Sequence, residues 1–155
     1  MSCGISCIAM LMNRVQNTRP TERAIIGLSM VSDGDKYVPT KKDSVTKQEP
    51  TRWTGTGADN VSSVLQSIQI PNKVVSNPFG MTTKKALGAA SYDKPVIILF
   101  RDEVDAGGHF VVCDGPRQNG AVGQYVYCDP QSGKAEYLAL DEYLIALIRR
   151  LIIPT

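Results

Sequence analysis

No stretch of this sequence approaches the about 18 consecutive apolar residues of a membrane-spanning helix, and its start lacks the basic segment and small-residue cleavage site of a signal peptide. The chain is therefore expected to work in a cytosol or to reach its destination as part of something larger. An excess of one charge is also missing. The formal charge is +2 and the pI near 8.3, with Lys and Arg scattered, so neither nucleic acid nor an anionic membrane is an expected partner. Lys41-Lys42, Lys84-Lys85 and Arg149-Arg150 read as solvated surface. There is no internal repeat or low-complexity segment. The four cysteines do not make the dense framework of a small secreted domain, and reduced thiols are expected. Histidine is the scarcest of the reactive residues, with a single copy, so general-base chemistry by imidazole has one candidate.

What is present suffices for one domain. A chain of 155 residues, 43% hydrophobic and 21% charged, can bury one substantial core, and residues 1–155 are expected to form a single unit. From Cys3 to about Gln16, Ile5, Ile8, Ala9, Leu11, Met12 and Val15 recur at helical spacing and predict a mostly buried helix. Asn17-Thr18-Arg19-Pro20 ends it, and Thr21 is a candidate N-cap for a second helix to about Val31. Ser32 to Thr54 shows no period and reads as a long connection. Val61, Val64, Leu65 and Ile68 predict a third helix, Lys73-Val74-Val75 a first strand, and Thr82 or Thr83 the cap of a short helix through Ala90. Pro95 to Phe100 is apolar on both faces, as in a strand interior to a sheet. Strands at 109–114 and 124–129, a helix capped by Asp141 to about Ile148, and an edge strand at Leu151-Ile152-Ile153 complete the pattern. Helices first and an antiparallel sheet after is α+β order.

Cys3 falls at the start of the first helix, followed by Gly4. Unpaired backbone N–H groups and the positive end of the helix dipole favour a thiolate there. His109 follows Gly107-Gly108, which remove side-chain bulk where another backbone or a substrate would approach. If the strands on either side pair about a turn near Asn119, Cys113 faces Tyr125, Val111 faces Tyr127, and His109 faces Asp129. His109, Val111, Cys113, Tyr125, Tyr127 and Asp129 then share one face. A carboxylate on one imidazole nitrogen fixes the tautomer and leaves the other nitrogen for a thiol proton, so Cys3, His109 and Asp129 form a nucleophile, base and orienter. Asp129-Pro130-Gln131-Ser132-Gly133 also has turn chemistry. Cys7 reads as core. Cys113 and Cys128 point to opposite faces, which disfavours a shared disulfide or zinc site, and no metal or cofactor is expected. Trp53 and Tyr37 are candidates to line a substrate groove.

Cys3-Gly4-Ile5-Ser6-Cys7-Ile8-Ala9-Met10-Leu11-Met12, Lys94-Pro95-Val96-Ile97-Ile98-Leu99, Gly108-His109-Phe110-Val111-Val112 and Tyr127-Cys128-Asp129-Pro130-Gln131-Ser132-Gly133 resemble, in order, papain-like cysteine peptidases. The nearest branch in this resemblance is the bacteriocin-processing peptidases that cut after double-glycine leaders, with the related papain-like toxin domains of bacterial competition systems. The likeness spans most of the chain, and it is specific in the Cys-Gly, Gly-His-Phe-Val-Val and Asp-Pro-x-x-Gly pieces and loose between Gln16 and Lys94. It implies a papain-like fold of N-terminal helices packed on a C-terminal antiparallel sheet, with Cys3 as nucleophile, His109 as base and Asp129 as orienting carboxylate. One departure stands out. The family's glutamine, several residues before the cysteine, has no counterpart, because only Met1 and Ser2 precede Cys3. Two expectations account for it. Either the chain is a fragment, such as a toxin domain of a larger secreted or phage-tail-like (type VI) carrier, or the oxyanion is held by the backbone N–H of Cys3 and another donor.

The leading expectation is an endopeptidase that cuts a protein or peptide substrate at a glycine-containing site, with Trp53, Gly107 and Gly108 lining a narrow cleft. As a delivered toxin it implies a secreted effector reaching a target cell's cytoplasm, and a cognate inhibitor (immunity protein) that plugs the cleft. A transglutaminase-like deamidase or acyltransferase shares the order Cys, His, Asp and the acyl-thioester step. A third reading is an inactive binding module, which an unactivated Cys3 would favour.

Overall fold

The computed structural model describes residues 3–21, 24–25, 57–101, 108–120, 122–130 and 132–155. Helix α1 covers Cys3–Gln16 and buries Ile5, Cys7, Ile8, Leu11 and Met12. Val15 has the phase of that face but is exposed. Asn17, at φ 53°, takes the left-handed conformation that stops the helix. Thr21 Oγ1 then accepts from the N–H of Ala24 at 3.2 Å, as an N-cap does. The rest of the second predicted helix, together with Tyr37, Trp53 and Gly107, lies outside the described residues.

Helix α2, Ala58–Ser67, is joined to strand β1, Asn72–Ser76, through a buried polar knot. Ser62 Oγ donates to Asn72 Oδ1 at 2.5 Å, and Asn72 Nδ2 donates to the carbonyls of Ser62 and Ile70. Helix α3 covers Gly80–Gly88. It begins before the threonine pair expected to cap it, because Phe79 is already extended and leaves the first N–H groups open. Thr83 is instead fully buried in the second turn, its N–H donating to the carbonyl of Phe79 and its Oγ1 lacking a partner.

Strands β2 (Val96–Phe100), β3 (His109–Pro116), β4 (Gln124–Cys128), β5 (Ala135–Ala139) and β6 (Ile148–Pro154), with helix α4 (Glu142–Leu147) before β6, complete the chain. The sheet has the order β1-β6-β2-β3-β4-β5, with every pair antiparallel. Two of these strands correct the sequence reading. The C-terminal strand is interior rather than an edge, lying between β1 and β2 with Leu151 and Ile152 buried on opposite faces. Its apolar run is that of a two-sided buried strand, like Val96-Ile97-Ile98-Leu99. Strand β5 was not expected, since Ala-Glu-Tyr-Leu-Ala has no apolar alternation and is mostly exposed. It exists because the outer backbone groups of β4 need partners. Asp141 caps α4 as expected, its Oδ1 accepting from the N–H of Leu144 at 2.8 Å.

Helices α1 and α2 cover one face of the sheet, on Ile97, Leu99, Phe110, Val112 and Ile152. Helix α3 covers the other, on Val96, Ile98, Val111, Cys113 and Leu151. Leu151→Ala should cost about 2–5 kcal/mol, the range for truncating a buried leucine. Urea unfolding should show a lower midpoint with an unchanged slope.

Candidate active site

The ends of three elements converge at one end of the sheet. Cys3 opens α1, His109 opens β3, and Asp129 is the first residue beyond β4. Gly108 makes the turn into β3 at φ 74°, and a Cβ there would lie 2.5 Å from the carbonyl oxygen of Phe100. The space that glycine leaves is filled by the neighbouring backbone, which accounts for it without a ligand. The Asp-Pro turn fixes Asp129 on the other side. The N–H of Gly133 donates to the Asp129 carbonyl at 2.9 Å, and Ser132 Oγ donates to it at 3.4 Å.

The hairpin register differs from the expected one. Cys113 faces Tyr127 and Val112 faces Cys128, and Asp114 is an extra residue between the Cys113–Tyr127 and Gly115–Val126 pairs. The turn is centred further along the chain than Asn119, and the extra residue at Asp114 takes back one step of that offset. His109 and Asp129 are therefore not directly opposite. They still meet, with His109 Nε2 3.0 Å from Asp129 Oδ2. Val111, Cys113, Tyr125 and Tyr127 share the expected face, and Cys128 lies on the other, toward α1.

With Asp129 on Nε2, Nδ1 of His109 is the ring nitrogen left for Cys3, and each of the two side chains shifts the other's pKa. Burial pushes the Cys3 thiol up, but the bond with His109 and backbone N–H groups of Phe110 and Gly4 outweigh it and bring its pKa below the ordinary 9.0. The bond to Cys3, reinforced by Asp129, raises His109 from 6.5 to about 9 despite desolvation. The other thiols move the opposite way. Burial drives Cys7 well above the ordinary range, Cys113 to about 11, and Cys128 up, aided by Asp114. Of the four free cysteines, Cys3 alone has its pKa lowered, and His109 beside it has its pKa raised.

This pairing fixes a pH response. The raised His109 contributes stability that is complete below about 6.5 and lost as pH rises through about 9. The lowered Cys3 contributes stability present above 9.0 and lost as pH falls through its folded value. The ion pair is full only between the two folded values. Alkylation needs only the thiolate, so Cys3 should react with iodoacetamide along a single rising curve with its midpoint below 9, well ahead of Cys7. Cleavage also needs the imidazolium as proton donor and should fall again above about 9. Site-resolved mass spectrometry across pH, beside a cleavage profile, checks both limbs.

Sequence reasoning missed a second cluster. Arg14 and Asp114 form a buried ion pair, with side chains 6% and 12% exposed. The signal was available in the spacing, because Cys3, Cys7, Met10 and Arg14 fall on one stripe of a 3.6-residue helix. Among the described residues no group of three His, Cys, Asp or Glu could hold a metal ion, and no helix is long and apolar enough to cross a membrane.

Helices on both faces of a six-stranded antiparallel sheet make an α+β fold, and it is one shared with a known peptidase domain. No family model matches the chain, and no curated protein matches it. Its structure is similar to the crystal structure of the peptidase domain of Streptococcus ComA, a bi-functional ABC transporter involved in a quorum-sensing pathway. The TM-score is 0.63 at 13% identity, over 99% of this chain and 92% of that one.

Proposed function

We propose that this chain is a cysteine endopeptidase. The observation that carries the reading is the thiol of Cys3 bonded to His109, whose Nε2 meets Asp129, on a fold shared with a peptidase domain. In the proposed cycle the Cys3 thiolate attacks the scissile carbonyl carbon, forming the C–S bond and a tetrahedral oxyanion. That oxyanion is held by the backbone N–H of Cys3 and a second donor. Nδ1–H of His109 protonates the leaving amine as the C–N bond breaks, giving a thioester and a free amino terminus. Neutral His109 then takes a proton from water, hydroxide attacks the thioester, and the acid leaves as thiolate and imidazolium are restored. Asp129 keeps the imidazole in the productive tautomer and stabilises its cation throughout.

The finer reading is an effector of bacterial competition, delivered into a target cell, cutting a protein at a glycine-containing or double-glycine site and held in check by an inhibitor protein that plugs the cleft. It rests on the sequence resemblance. Gly108 adds nothing to the glycine preference, because its missing Cβ faces Phe100. Incubating the purified chain with a cell proteome separates the chemistries that share an acyl-thioester. A peptidase produces new peptide termini, whereas a deamidase leaves backbones intact and adds about one dalton to glutamine, the mass change of amide-to-acid conversion.

A further inference from the structure

One guanidinium touches every element that carries the site. Arg14 sits near the end of α1, three turns after Cys3 and within about 20° of the same line on the helix surface. Its Nη1 and Nη2 both donate to the carboxylate of Asp114 on β3, the second at 3.2 Å. Nη2 also donates to Cys128 Sγ at 3.5 Å, on the residue immediately before Asp129. On its open side the guanidinium stacks over the ring of Tyr92, 4.3 Å from the centroid.

The two elements are matched in length between their anchor points. Cys3 to Arg14 spans a rise of about 16 Å along the helix. His109 to Asp114 spans about 16 Å along the strand. Helix and strand are thus tied at both ends, by Cys3 with His109 and by Arg14 with Asp114. The bulge is part of the tie. Asp114 is the extra residue there, and Gly115 holds the bulge at φ 99°, where a Cβ would lie 2.1 Å from the carbonyl oxygen of Ala90. That close approach also brings the segment bearing Tyr92 onto Arg14.

We propose that Arg14, through Asp114 and Cys128, is a positioning residue that sets the axial position of α1 against β3 and β4 and so holds Cys3 in bonding reach of His109. The inference deepens the peptidase reading and rests on the same Cys3–His109 pair, but its effect is read without any substrate. A helix that slips by a single residue moves Cys3 about 1.5 Å, enough to lose a hydrogen bond.

The test measures iodoacetamide alkylation of Cys3 against pH by peptide mass spectrometry in the full chain. The titratable and charged groups around Cys3 and Cys7 are His109, Asp129, Arg14 and Cys128, so His109→Asn serves as the control for complete loss of the pair. Arg14→Met combined with Asp114→Leu replaces the buried ion pair by apolar groups of similar size, an exchange that commonly preserves the fold. Near-UV circular dichroism checks whether it does. In this folded double variant the Cys3 midpoint should rise by about one unit, a tenfold loss of thiolate at a given pH. Arg14→Lys keeps the charge but reaches fewer partners, and should fall between. A folded double variant with an unmoved midpoint would overturn the proposal. So would loss of the near-UV signal in both variants, which is what a purely structural ion pair does. A wild-type chain that cleaves nothing would remove the peptidase reading and leave this result standing.

Discussion

Cys3→Ala should abolish cleavage, by on the order of 10⁵ or more in rate, the scale on which loss of a covalent nucleophile falls. The fold should survive it. Cys3 is only half-buried at the first turn of α1, and the apolar residues that anchor the helix are Ile5, Cys7, Ile8, Leu11 and Met12 further along. Removing one sulfur there takes a partner from Nδ1 of His109, but that side chain is only part-buried and keeps its bond to Asp129 on Nε2. Thermal unfolding should therefore shift little. The Ala form should also lose the alkylation that marks Cys3, while Cys7 and Cys113 stay protected by burial and raised pKa.

His109→Asn is expected to have the next largest effect, lowering cleavage by about 10²–10⁴, the usual contribution of a positioned acid–base group. The histidine does two jobs that this change removes together. In the proposed cycle it lowers the pKa of the thiol, and as the imidazolium it supplies the leaving-group proton. Its loss should return Cys3 toward the ordinary thiol range or above it, since burial then acts without its main counterweight. A cleavage assay across pH and the Cys3 alkylation curve read the two jobs separately. If cleavage falls while the alkylation midpoint stays put, the thiolate owes nothing to His109 and the ion-pair account of the site fails.

Much of this arrangement was legible because it is local. Cys3 opens an apolar helix, Val96 to Phe100 is apolar on both faces, and Asp129-Pro130 announces a turn; each signal lies in a few adjacent residues. The meeting of His109 and Asp129 was legible through strand alternation even though the register was off. Faces depend on parity, which the extra residue at Asp114 keeps even, and register depends on where the turn is centred, which no short stretch reveals. The placement of β6 between β1 and β2 was not legible, because which strands neighbour one another is a property of the whole sheet. Strand β5 was missed for a related reason, as its residues are recruited by the open edge of β4 and not by their own pattern. Arg14 and Asp114 escaped notice because scattered charges default to surface, and a buried pair shows itself only when both partners are placed.

Whether Cys3 breaks peptide bonds is read by mass spectrometry of protein N termini in cells expressing the chain beside cells expressing its Cys3→Ala form. New amino termini on a small set of proteins, absent with the Ala form, are the predicted result, with glycine expected on the acyl side of the break. Identical termini in the two cell populations, or termini that persist with the Ala form, would contradict it.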